Sequence, residues 1–328
     1  MAQNARSPWE RRHQQWLDFV LKIAEAFQAG RAIPLGPSSP PLVAPTLFST
    51  STRSATILIA SPHPDDEALI SALPLRLRLE TGARVVNCAV TLGSDLSQRA
   101  RRRAELESSC RVLGFDLIVP KGEGLDDVKP QGRQSDPASW QEKVETLRIL
   151  FDRERPEAVF APHEEDFNTT HVGTHYLVVD ALVARLAHSH HPPVLLIETE
   201  YWHPHSSPNL MVGVTPETLA IQMMATAEHA GEVSRNPYHL GLPARMMDNV
   251  RRGSEVVGGQ GAPAKPFMFA ELYRVTRMSA QGEIPPQRGG LIVDPHGELR
   301  LSDLENWYWP SAPGDSGRTP QNDGGKLV

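Results

Sequence analysis

Apolar residues fall into two alternating rhythms through the middle of the chain: short aliphatic runs, then longer stretches at helical spacing. Thr56–Ser61 predicts a strand leading into a helix over 67–81, and Arg84–Thr91 a strand leading into a helix over 97–113. Asp116–Val119 is followed by a Gly-rich loop and a helix around 137–153, Ala158–Ala161 by a helix over 170–188, and Val194–Glu198 is the next strand. This alternation predicts an α/β fold, Rossmann-like, with a mostly parallel sheet, helices on both faces and right-handed crossovers. Ahead of it, Trp16, Phe19, Val20, Ile23, Ala24 and Phe27 repeat as on one helix face; this N-terminal helix and a Pro/Ser-rich connector make up residues 1–54. After Tyr201 the pattern loosens to helices over 216–230 and 242–257 and a late strand over 267–275. Gly, Pro, Ser and Asp dominate residues 279–328, where only 290–293 and 307–309 offer apolar material, so a loosely structured tail is expected. The central α/β unit is then 55–278.

The 328 residues are 40% hydrophobic and 22% charged, as in an ordinary soluble globular protein. A net charge of −6 without a basic stripe speaks against a nucleic-acid partner; Arg99, Arg101, Arg102 and Arg103 form only a local cluster. Cys88 and Cys110 lie in apolar runs without a C-x-x-C partner and are expected as buried, reduced thiols. No leader-like layout and no apolar run of the roughly 20 residues needed to span a bilayer are present, so a cytoplasmic location is expected. The amphipathic N-terminal helix packs on the domain or on a partner subunit, which leaves a homo-oligomer open.

Two strand ends carry the chemistry. The first strand runs directly into Pro62-His63-Pro64-Asp65-Asp66-Glu67, at the sheet edge where open α/β folds place ligands. Imidazole plus carboxylate suits zinc, and a second carboxylate suits a base for metal-bound water. Adjacent side chains point apart, so one aspartate ligates with His63 while the other faces the water; capping of the next helix is the competing use. The strand at 158–161 runs into Pro162-His163-Glu164-Glu165-Asp166-Phe167-Asn168-Thr169-Thr170-His171. His171 completes a His-Asp-His set with an open position, the form of a catalytic zinc site. His163 and His175 compete for the same role; His163 also suits a supporting group or proton donor, and His175 suits helix packing. His203 and His205 read as the cleft rim or an exposed turn. Lys121-Gly122-Glu123-Gly124 lacks the Lys-Ser or Lys-Thr of a phosphate loop, and Asp126 and Asp127 beyond it can hold sugar hydroxyls.

His63-Pro64-Asp65-Asp66-Glu67 after a strand resembles the signature of the PIG-L/LmbE-like zinc-dependent de-N-acetylases, which act on N-acetylglucosamine conjugates. Thr91-Leu92-Gly93-Ser94, Arg102-x-x-Glu105, Leu113-Gly114, the segment ending at His171 and Phe269-Ala270-Glu271 are similar and occur in the same order, so the resemblance spans residues 56–275. It implies a zinc-dependent amide hydrolase, a deacetylase, with His63, Asp66 and His171 as metal ligands. Asp65 would be the general base that takes a proton from zinc-bound water, and Arg102 would meet a substrate phosphate or hydroxyl. Fe²⁺ or Co²⁺ suit the same ligands. The chain departs from many relatives in having Asn168-Thr169-Thr170 where His-Pro-Asp precedes the last ligand. Asn168 can donate to an oxyanion but transfers no proton, so the general acid falls to protonated Asp65 or to His163. The implied substrate is a small N-acetylated sugar conjugate. An amidase on a thiol-sugar conjugate, a nucleotide-sugar transferase using Asp65 and Asp66, and a non-catalytic binding module are the alternatives.

Overall fold

The computed structural model describes residues 7–45, 55–188 and 191–310. Its strands are β1 (Thr56–Ser61), β2 (Arg84–Ala89), β3 (Asp116–Ile118), β4 (Ala158–Pro162), β5 (Val194–Thr199), β6 (Leu210–Val214), β7 (Phe269–Ser279), β8 (Gly282–Ile284) and β9 (Leu291–Val293). The helices are α1 (Pro8–Arg31), α2 (Asp66–Leu69), α3 (Ala72–Thr81), α4 (Arg99–Leu113), α5 (Gly132–Ser135), α6 (Pro137–Glu154), α7 (Thr169–His188), α8 (Pro216–Ala227), α9 (Ala230–Val233), α10 (Tyr238–Val256) and α11 (Leu301–Tyr308).

The strands join one sheet in the order β3-β2-β1-β4-β5-β7-β6-β9, with β8 on β7. The first five are mutually parallel, as the alternating pattern predicts. Ile57, Ile59, Phe160 and Ile197 point into one core with Leu73 and Leu77 of α3, while Leu58, Val159 and Leu196 point into the other with Leu147 of α6 and Leu177 and Leu182 of α7. Two covered faces explain why these strands read as continuous apolar runs. The order reverses between β1 and β4, and their carboxyl ends therefore open a crevice at the switch point.

Three features differ from the sequence reading. The helix expected over 67–81 is two helices, α2 and α3, because buried groups of β7 take over the backbone bonds at the break. The Ala72 N–H donates to Glu271 and the Leu73 N–H to the Tyr273 hydroxyl, at 3.2 and 3.1 Å. Second, β6 has no counterpart among the expected strands, and β7 runs antiparallel between β5 and β6. Third, residues 282–308 are built into the fold: β9 pairs with β6, and α11 buries Leu301, Leu304 and Tyr308. Buried Arg76 of α3 fixes this segment by donating to the carbonyls of Gly213, Asp294 and Gly297. Only residues 311–328 of the expected tail lie outside the described residues.

The N-terminal helix is present as expected, but it buries none of its residues. The connector then lies against α4 and α8: the Gly36 N–H donates to Ala227 O, Ser38 bonds Glu228, and the Ala44 N–H donates to Arg111 O at 2.9 Å. Residues 46–54 of the connector lie outside the described residues.

Candidate active site

β1 delivers its chain into a tight turn that starts α2. Asp65 adopts φ 112° and ψ −28°, a region that L residues rarely enter, and Asp66 is the first residue of the helix. The turn is held from within the protein. The His63 N–H donates to Asp66 Oδ2 at 2.9 Å, and Thr91 donates to Pro62 O at 2.7 Å. Glu67 is fully buried and accepts from Ser109 at 2.6 Å and from the Asp65 N–H at 3.0 Å, with His229 Nε2 2.7 Å away. Beside it, β4 ends in a second turn in which Asn168 Oδ1 accepts the Thr170 N–H at 2.8 Å, capping α7 and placing His171 in its first turn.

The two turns bring three donor atoms together. His63 Nδ1 and His171 Nε2 are 3.2 Å apart, and Asp66 Oδ2 lies 3.3 Å from the first and 3.2 Å from the second. A tetrahedral ion with bonds of about 2.0–2.1 Å holds its ligand atoms about 3.3 Å apart, so the set fits a divalent metal such as zinc. His63, Asp66 and His171 thus form a candidate metal centre, as expected. Burial pushes the Asp66 carboxyl up, but His171 and His63 outweigh it and hold it far below the usual range. His171 is held well above its ordinary value, because Asp66 and Asp166 outweigh its burial.

Asp166 is the site residue that sequence reading missed. Its Oδ1 lies 3.4 Å from His171 Nδ1, an ion-pair separation rather than an aligned hydrogen bond. It also accepts the N–H groups of Asn168 and Trp202, at 2.8 and 3.2 Å. A carboxylate behind a ligating imidazole is a recurrent support of metal sites. Nothing but its place five residues before His171 marked it, in a run of acids that reads equally well as a solvated loop.

Asp65 faces the same space without belonging to the triangle. Burial and the neighbouring Asp66 push its carboxyl up to about 7, against the opposing pull of His229, Tyr238 and Arg102. A carboxyl poised near neutrality can both accept and release a proton. The surrounding cavity of about 650 Å³ also takes in Arg102, Asn168, Tyr201, Trp202, Tyr238 and Arg245.

Of the residues expected at the site, His63, Asp65, Asp66, Arg102, Asn168 and His171 meet on this cavity. His163 and Asp126 do not. His163 is fully buried, with Nε2 2.8 Å from His203 O and Nδ1 accepting the Glu165 N–H at 3.2 Å, which leaves no ring nitrogen for a proton donor's work. The Asp126 side chain is 70% exposed and pairs with Arg99 away from the cavity, because its loop turns outward. His175 packs inward in keeping with a helix-packing role, 3.0 Å from Pro162 O and 3.3 Å from Glu198. His205 is buried against the same Glu198, at 3.5 Å, rather than exposed.

Residues 58–182 match the family model described as PIG-L: GlcNAc-PI de-N-acetylase. Residues 58–182 form a PIG-L family domain. The family is one of amide hydrolases, which makes this a hydrolytic deacetylase domain. It contains all three metal-site residues, Asp65, Asp166 and Asn168, whereas Tyr201, Trp202, Tyr238 and Arg245 come from outside it. Among solved structures, the chain is similar to N,N'-diacetylchitobiose deacetylase from Pyrococcus horikoshii, at 17% identity and TM-score 0.51 over 68% of this chain and 84% of that one. It is similar to GalB, the 4-carboxy-2-hydroxymuconate hydratase of Pseudomonas putida, at 16% identity and TM-score 0.50 over 68% and 96% of the two chains. A conserved protein from Thermus thermophilus matches at 20% identity and TM-score 0.49, over 68% and 94%. A deacetylase and a hydratase on one fold show that this likeness establishes the fold alone. No curated protein sequence matches the chain.

Proposed function

We propose that the protein is a zinc-dependent hydrolase that removes the acetyl group from an N-acetylated sugar conjugate of the N-acetylglucosamine type. The observation that carries this reading is the convergence of His63, Asp66 and His171 beside the unligated carboxyl of Asp65, inside a cavity large enough for a small conjugate. The PIG-L description names a de-N-acetylase, and the chitobiose deacetylase of similar fold acts on an N-acetylated sugar. A bound ion, zinc or Fe²⁺ or Co²⁺ on the same donors, would supply Lewis-acid polarisation of the amide carbonyl and acidify water.

The chain's own groups do the rest. Asp65 takes the proton from the attacking water and, being poised near neutrality, hands it to the departing amine, a contribution of about 10²–10⁴-fold. Asp166 keeps His171 oriented. Asn168 spends Oδ1 on the cap of α7 and has its amide NH₂ left to donate to the developing oxyanion. Arg102 receives a substrate hydroxyl or phosphate, and Trp202, 61% exposed on the cavity wall, offers a flat face to a sugar ring. The protein works in the cytoplasm, in keeping with two buried free thiols, and self-associates through α1.

The test is acetate release from a panel of N-acetylglucosamine conjugates by the zinc-loaded chain. His63→Ala is expected to lose metal and activity together. Asp65→Asn is expected to keep the metal and lose the activity; a fully active Asp65→Asn protein would refute the assigned base.

A further inference from the structure

Tyr238 opens α10, outside the matched residues 58–182, yet its hydroxyl donates a hydrogen bond to Asp65 Oδ2 and its ring forms part of the cavity wall. It belongs to a stretch that grips the His63–Glu67 turn and α4 at several points. His229 lies 2.7 Å from Glu67, and the Gly231 N–H donates to Glu105 at 2.9 Å. Glu232 sits 3.2 Å from Arg101 and 3.8 Å from Arg102, and Arg102 itself donates to Pro64 O at 3.0 Å.

This grip matters because of what Asp65 would do without it. Its backbone conformation is strained for an L residue and persists only where the surroundings over-determine it. Its carboxylate turns about a broad, two-fold torsion, so nothing intrinsic to Asp65 decides which oxygen faces the reaction. With Tyr238 on Oδ2, Oδ1 has no hydrogen-bond donor among the described residues; its ion-pair partner, Arg102, is 3.9 Å away. We propose that Tyr238 is a positioning residue that holds Asp65 Oδ2, leaving Oδ1 alone to accept the proton during amide hydrolysis. This rests on Asp65 being the base of the proposed deacetylase. It also means that the active site is completed from beyond the residues that match the family, by the wall that α9 and α10 build.

The experiment is a double-mutant cycle of Tyr238→Phe and Asp65→Asn in the zinc-loaded full chain. It measures kcat and KM for acetate release, together with zinc content and Tm. Phe keeps the ring and deletes only the hydroxyl, so zinc content and Tm are expected to hold. kcat should fall about 10–100-fold, as for a misplaced catalytic group, with KM within about 2-fold. In the Asp65→Asn background the same substitution should change nothing further. Unchanged kcat, a loss confined to KM, or an equal loss in both backgrounds would overturn the role. A Tyr238→Phe protein that melts early or loses zinc would make Tyr238 a structural residue and overturn it as well. An Asp65→Asn protein as active as wild type would sink the base assignment itself, which distinguishes that failure from failure of the Tyr238 inference alone.

Discussion

Asp166 is the buried carboxylate behind the most enclosed of the three candidate ligands, His171, and on the proposed function it should set how tightly a metal binds there. Asp166→Asn keeps the size and the acceptor for the Asn168 N–H but removes the charge. We expect metal affinity to fall about 10–100-fold, read by competition against a chelator, with kcat recovering at saturating metal. His163 gives the contrasting case. Its imidazole serves Glu165 N–H and His203 O rather than the cavity, so His163→Ala removes both hydrogen bonds of a fully buried ring. A loss of about 1–3 kcal/mol in denaturant unfolding, with kcat retained by the folded fraction, is the expected outcome. A kcat collapse at unchanged stability would return His163 to the chemistry.

At the scale of elements, α7, β5 and β7 are tied through one carboxylate. Glu198 of β5 is buried 2.8 Å from Arg274 of β7 and 3.3 Å from His175 of α7. Burial raises its pKa, but His205, His175 and Arg274 prevail and hold it at about 2, against the usual 4.5. A depressed folded-state pKa stabilises fully above the unfolded value, so the contribution is complete above about pH 4.5 and disappears as pH falls toward 2. On the order of 3 kcal/mol is at stake; Glu198→Gln should flatten the stability profile in that window and leave its shape above pH 6 unchanged. The other element with an unmet demand is α1. Trp9, Trp16 and Phe19 are 70%, 61% and 52% exposed, and with Phe27 the four aromatics leave on the order of 400 Å² in water. Adding Leu17, Val20, Leu21 and Ile23 brings the face near the roughly 800 Å² per partner of a specific dimer. Trp9, Trp16 and Ile23 recur every seven residues, which suits a like helix. Asp18 and Glu25 stand among the bases of the polar face, unlike the Lys/Arg-rich face of a membrane-surface helix. Sedimentation should show a dimer that Trp16→Glu with Ile23→Glu converts to monomer; a wild-type monomer at tens of micromolar would dispose of the idea.

For the molecule as a whole, legibility follows how local the governing contacts are. From 56 to 188 each strand is followed by its own crossover helix, so periodicity within a short window reveals both, and His63, Asp66 and His171 announce themselves at strand ends. From 200 onward the structure depends on distant partners: β7 slots antiparallel between β5 and β6, β9 needs β6, and the segment at 294–297 needs Arg76. Composition alone could not show these pairings, nor that Tyr238 would reach Asp65. The metal site is where the two kinds of contact meet, since it joins the turn after β1 to the start of α7 across the switch point. An ion bound there stabilises only the folded chain, by about 2.7 kcal/mol at a hundred times Kd. At roughly 2–4 °C per kcal/mol for a domain approaching this size, zinc should raise Tm by about 5–10 °C, and a chelator should reverse it. His171→Ala should abolish the shift, because it removes one of only three donors. Asp65→Asn should preserve it in full while acetate release is lost. If Asp65→Asn instead lost the thermal shift, Asp65 would be a ligand, and the division of labour between the two adjacent aspartates would have to be reversed.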